Sequence, residues 1–160
     1  MRSMTQQQAL RAIGQDLERR DIRTFDIRCE QDVYVVQGGY QDPPGPMPIT
    51  VHYSSADLEN LNQEGNEKRD RGSGDMEFLK LSLILRAIGA HVERKGARLL
   101  RISNGSARST TPIFTIEYET AAGEQVSNDL TSAAVYDICV STYKLRGKMA
   151  ASGKYRMWRR

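Results

Sequence analysis

Residues 10–20 read LRAIGQDLERR and residues 85–95 read LRAIGAHVERK. Seven of the eleven positions are identical, and Leu17/Val92 and Arg20/Lys95 are alike in chemistry. An identical pentapeptide followed at the same interval by Glu-Arg sets an offset of 75 residues, about half of this 160-residue chain. Self-similarity at a fixed interval is the mark of a repeated supersecondary unit, so the chain reads as two copies of one unit.

Each copy of the motif is predicted to lie on a helix. Ala9, Ile13 and Leu17, with Leu10, fall on one helical face, and Leu81, Leu85, Ile88 and Val92 repeat the pattern. Gly74-Asp75 offers an N-cap for the second helix. Gly14 and Gly89 fall mid-helix, where Gly costs about 0.5–1 kcal/mol relative to Ala. Their recurrence suggests close approach by a strand or by the other helix.

Strands follow in both copies. Phe25, Ile27 and Cys29 alternate with Asp26 and Arg28, and Val33–Val36 forms the next run. Four of the five prolines fall in the loop 43–48, and Ile49, Val51 and Tyr53 then alternate with Thr50 and His52. A helix is expected from Ser55 or Ala56 through Leu58 and Leu61. Residues 62–74 hold no apolar side chain and read as a frayed helix end and a solvated linker. In the second copy Leu99–Ile102 and Phe114–Tyr118 read as strands, and Asn104-Gly105 and Ala122-Gly123-Glu124 as turns. A short strand at 124–127 is expected next, then a helix capped by Ser127 or Asn128 with Leu130, Ala134, Ile138 and Leu145 facing the core.

These assignments describe an α+β chain: a tandem duplication of an αβββα unit with antiparallel sheets, its halves packed as one compact body. The first repeat spans 1–71, the second 72–146, and 147–160 form a basic C-terminal tail. A three-stranded sheet has an open edge, which favours pairing between the halves or between chains, as in a homodimer.

Charge is unevenly distributed. The formal net charge is +3, but Ile138–Arg160 contains seven cations and no Asp or Glu. The rest of the chain is therefore mildly acidic, and any electrostatic partner is expected at one end of the molecule. Lys144, Arg146, Lys148, Lys154, Arg156, Arg159 and Arg160 are the candidate phosphate contacts. Tyr155 and Trp158, the single tryptophan, are candidate stacking platforms for unpaired bases. The same composition suits an acidic protein surface.

Other chemistry has weaker support. Glu117 and Glu119 share a strand face, as paired carboxylates or the solvent side of an amphipathic strand. A ligand or enzyme site between the repeats would draw on them and on His52. His91 replaces Asp16 in the second motif, which suggests a tolerant, solvent-facing position. Cys29, Cys139, His52 and His91 are too scattered for a metal-ligand pattern, so no metal or cofactor is expected, and the cysteines read as reduced, core-facing thiols. No run approaches 18 consecutive apolar residues and no secretory-type leader is seen, so integral membrane association is not expected and a cytoplasmic location is.

The helix–three-strand–helix order is shared with double-stranded-RNA-binding modules. The basic run those modules carry at the last helix would fall at 127–131, which reads Ser-Asn-Asp-Leu-Thr, so the order alone assigns no family. The expected function is a binding module, foremost for nucleic acid through the C-terminal segment, with self-assembly or protein interaction as the alternative.

Overall fold

A computed structural model describes residues 4–20, 22–30, 33–40, 47–68, 78–104, 114–143 and 156–157. The elements are α1 (Gln6–Arg19), β1 (Ile22–Glu30), β2 (Val33–Tyr40), β3 (Met47–Tyr53), α2 (Ser55–Lys68), β4 (Phe78–Leu79), α3 (Leu81–Arg94), β5 (Arg98–Asn104), β6 (Phe114–Glu119), β7 (Gln125–Leu130), α4 (Ser132–Tyr143) and β8 (Arg156–Met157). The protein is α+β, with four helices and one six-stranded antiparallel sheet of order β3-β2-β1-β5-β6-β7.

The order follows from strand pairing within each hairpin set. β1 pairs with β2 and β2 with β3; β5 pairs with β6 and β6 with β7. One edge strand of each set, β1 and β5, then joins the other through Asp26–Ser103, Ile27–Ile102 and Arg28–Arg101. The two three-stranded sets thus become one sheet: one edge of each is closed by the other, and β3 and β7 stand at the ends. Beyond the three ladder pairs, the buried Asn104 extends the seam by accepting a hydrogen bond from Phe25 N at 2.7 Å. The Phe25 and Phe114 rings pack beside it with centroids 6.2 Å apart.

Period-2 alternation decides which face the helices cover. Phe25, Ile27, Val36, Tyr53, Ile102, Phe114, Ile116 and Tyr118 are buried, while Thr24, Arg28, Gln37, His52, Arg98, Gln125, Ser127 and Asp129 are exposed on the other side. On the inner face α1 packs against α3, with α2 beside α1 and α4 beside α3. Leu10, Ile13, Leu17, Leu85, Ile88 and Val92 are all fully buried in one continuous core. Each such aliphatic side chain contributes roughly 1.5–3 kcal/mol by leaving water.

The helix ends differ from the expectation in two places. α3 begins at Leu81 after Lys80, which makes no side-chain cap, so Asp75 does not cap it. The donor is satisfied from another helix instead: Ser82 N donates to Glu18 Oε1 at 2.9 Å. Likewise α4 is capped by Thr131, whose Oγ1 accepts from Ala134 N at 3.2 Å, not by Ser127 or Asn128. The alternation Val126, Asn128, Leu130 carries β7 three residues further than expected, because Leu130 is buried as a strand residue. α1 has a side-chain cap of its own, a capping box between Thr5 and Gln8. Residues 69–77 and 105–113, read as linker and turn, lie outside the described residues.

Gly14 and Gly89 mark where α1 and α3 touch. A Cβ on Gly14 would stand 2.6 Å from Ser82 Cα, and one on Gly89 would stand 2.8 Å from Gln7 Cα. The helices therefore run antiparallel with backbone against backbone. The polar contacts repeat the exchange: Ser82 N donates to Glu18, and Gln7 N donates to Glu93 Oε1 at 3.2 Å. Gly14/Gly89, Gln7/Ser82, Glu18/Glu93 and Ile27/Ile102 are each 75 residues apart.

Candidate functional site

Both motif helices end in the same way. α1 closes on Arg19 with Arg20 as C-cap (φ −86°, ψ −3°), and α3 on Arg94 with Lys95 as C-cap (φ −81°, ψ −2°). The backbones match at the caps, so the side chains of the last turn start from equivalent places. What differs is the residue one turn back, Asp16 in α1 and His91 in α3.

Asp16 is 2% exposed, which overturns the solvent-facing reading of this position. Tyr53 donates to its Oδ2 at 2.5 Å, Arg20 Nε to the same oxygen at 2.9 Å, and Arg19 to Oδ1. Burial alone raises the Asp16 pKa, but the hydrogen bonds from Tyr53, Arg19 and Arg20 outweigh it and hold the carboxyl below its ordinary range. Burial, and then the same carboxylate, push the Tyr53 hydroxyl upward. A signal was present in the sequence: Arg19 and Arg20 stand at i+3 and i+4 from Asp16, where helical ion pairs form.

His91 is half-buried, and Arg94 and Lys95 are exposed. Burial, then Lys95 and Arg94, lower the imidazole pKa. Among the described residues no carboxylate pairs with Arg94 or Lys95. Arg94 instead donates to Thr142 Oγ1 of α4 at 3.4 Å. Thr142 is two residues before Lys144, the first cation of the C-terminal segment.

Lys144, Arg146, Lys148, Lys154, Tyr155, Trp158, Arg159 and Arg160 lie outside the described residues. Arg156 is described as a backbone element: in β8 it pairs in parallel with Phe78, and Met157 with Leu79. This segment is therefore joined to the body immediately before α3.

The open face of the sheet holds the paired carboxylates. Arg101 grips Asp26 through Nε–Oδ1 at 2.9 Å and a second nitrogen to Oδ2 at 2.6 Å, and stands 3.8 Å from Glu117. Arg98 meets Glu119 at 3.2 Å. Glu117 and Glu119 are thus ion-pair partners of β5 rather than a free acid–base pair. His52 sits on β3, four strand spacings from β6, about 19 Å away at ~4.8 Å per strand. The three residues do not form one site. Among the described residues no three His, Cys, Asp or Glu side chains are grouped to hold a metal ion.

The chain matches no family model, no curated protein and no solved structure with which it was compared. α4 opens Ser132-Ala133-Ala134-Val135, so its first turn bears no cation. No described helix is long and apolar enough to cross a membrane. Cys139 is buried in the core and Cys29 packs partly against it.

Proposed function

We propose that the chain is a tandem duplication of an αβββα unit, residues 1–71 and 72–146, with a basic C-terminal tail at 147–160. The exchanged contacts support this: Gly14 on Ser82 and Gly89 on Gln7, Glu18 to Ser82 N and Glu93 to Gln7 N. A twofold homodimer has such an isologous interface, in which residue i meets j and j meets i. Here both sides belong to one chain, so the two units supply each other's helix seam and sheet edge.

We further propose that the protein is a binding module for nucleic acid, acting in the cytoplasm, where reduced cysteines are at home. Lys144, Arg146, Lys148, Lys154, Arg156, Arg159 and Arg160 neutralise phosphates, and Tyr155 and Trp158 stack on unpaired bases. The observation that carries this reading is the Arg94–Thr142 contact. It supports a continuous basic surface, because the acid-free C-terminal segment starts beside the cations that end α3 rather than beside the neutralised arginines of the open sheet face.

The test is binding of a fluorescent single-stranded oligonucleotide across a salt series. Four to seven phosphate contacts at about 0.7 per contact give a log–log salt slope between about −3 and −5. Trp158 emission, the only tryptophan signal, falls on binding. Affinity that is flat from 50 to 200 mM salt (about a fourfold range), or unchanged on deleting residues 147–160, overturns the reading.

A further inference from the structure

We propose that His91, Arg94 and Lys95 form a phosphate-binding site on the body of the protein, occupied by a backbone phosphate of the nucleic acid. The proposal rests on the nucleic-acid reading and adds to it a site outside the tail. It is argued from the comparison of two helix ends with one backbone geometry. In the first, a carboxylate is built in: Asp16 accepts from Arg19, Arg20 and Tyr53, which is the last residue of β3 before the Ser54 cap of α2. In the second the cations are retained as Arg94 and Lys95, but the carboxylate is replaced by His91. The last residue of β7, before the Thr131 cap of α4, is Leu130, which has no hydroxyl. Two cations that share one buried carboxylate in the first half are thus matched in the second by two cations with which, among the described residues, no carboxylate pairs.

The neighbouring groups leave the charge in place. Glu93, the nearest carboxylate in sequence, is turned to α1, where it accepts from Gln7 N and from Gln7 Nε2 at 2.9 Å. The first residues of α1 are glutamines and bring no charge. On α4 the contact residue is Thr142, and the acidic Asp137 lies five residues back, about 7.5 Å along the helix axis. Burial first, and then the nearby charges of Lys95 and Arg94, lower the imidazole pKa. Arg94 and Lys95 are exposed and His91 half-exposed, so a phosphate reaches all three from solvent. A phosphate accepts from a protonated imidazole, a guanidinium and an ammonium at once, each a charge-assisted bond.

The test uses the full chain and inorganic phosphate, with NMR detection of the two imidazoles. At matched ionic strength, phosphate in place of chloride raises the His91 titration midpoint by about one pH unit, as a nearby opposite charge does, and leaves the exposed His52 unmoved. Equal movement in chloride, or equal movement of His52, shows an adventitious ion only and overturns the site. The phosphate titration needs no oligonucleotide, so failure of this site is distinguishable from failure of the tail. His91→Asp restores the carboxylate of the first half; it abolishes the phosphate response and lowers the salt slope of oligonucleotide binding by about 1. The surface variant Arg94→Gln does the same without touching the core. Unchanged oligonucleotide binding in both variants overturns the assignment, as does displacement of phosphate by polyglutamate but not by an oligonucleotide.

Discussion

Gly14 and Ser82 are in backbone-to-backbone contact: a Cβ on Gly14 would lie 2.6 Å from Ser82 Cα and 3.0 Å from Ser82 N. Neither neighbouring atom belongs to a side chain that can rotate away. Gly14→Ala is therefore expected to push α1 and α3 apart. Overpacking of this kind costs about 1–3 kcal/mol, against a helix-propensity gain near 1 kcal/mol. A net loss of about 1 kcal/mol is expected in urea unfolding. Gly89→Ala meets Gln7 in the same way, at 2.8 Å, and is expected to lose a similar amount. Gain of stability in either variant would show that the seam is looser than this.

Glu18 and Glu93 each close the N-terminus of the opposite helix. Glu18→Ala removes the acceptor of Ser82 N at the one helix start with no side-chain cap of its own. A cap is worth about 1 kcal/mol. Glu93→Ala is expected to cost less, because Thr5 and Gln8 already cap α1. Chemical denaturation of both single variants checks the order; the reverse order contradicts the capping account.

Asp16 makes stability depend on acid. Its folded pKa lies below the ordinary value of 3.8, so its contribution is full above that value and is lost as pH falls through the folded one. Asp16→Asn is expected to destabilise the protein by ~2 kcal/mol at neutral pH, below the range for fully buried pairs because Arg19 and Arg20 are partly exposed. It also flattens the stability profile below pH 4, about where the wild-type carboxyl begins to protonate. Thermal unfolding from pH 7 to pH 2.5 (about the span of the titration) reads both effects; parallel profiles for the two proteins would refute the linkage.

Cys139 is fully buried, and burial pushes its thiol up to about 12. A thiolate-dependent reagent at pH 8 is therefore expected to spare it in the native protein and reach Cys29 first, with Cys139 reacting only on unfolding. Two thiols titrating together in the native state would contradict the packing.

The duplicated motif made much of this fold readable in the chain. Helical spacing placed Ala9–Leu17 and Leu81–Val92 in the core, period-2 alternation found the inner face of the sheet, and the paired glycines announced a close approach. Those signals are local: they depend on side-chain periodicity and on what a missing Cβ permits. The misses lie where a residue's partner is distant in sequence. Glu18 caps a helix 64 residues away and Asp16 accepts from Tyr53, 37 residues on, so propensity along α1 shows neither. That both motif copies keep Glu-Arg was the available signal for the first.

By itself, then, the sequence determined the type and order of the main elements, the core stripes and the segregation of charge, because each is written in residue types at short spacing. Only the tertiary structure decided that β1 and β5 join the halves into one sheet, that α1 and α3 each supply an acceptor to the start of the other, and that Asp16 is held by Arg19, Arg20 and Tyr53 while, among the described residues, no carboxylate pairs with Arg94 or Lys95. The reason is geometric: hydrogen bonds and ion pairs reach only a few ångströms, and it is folding that brings residues 37 to 91 positions apart within that reach.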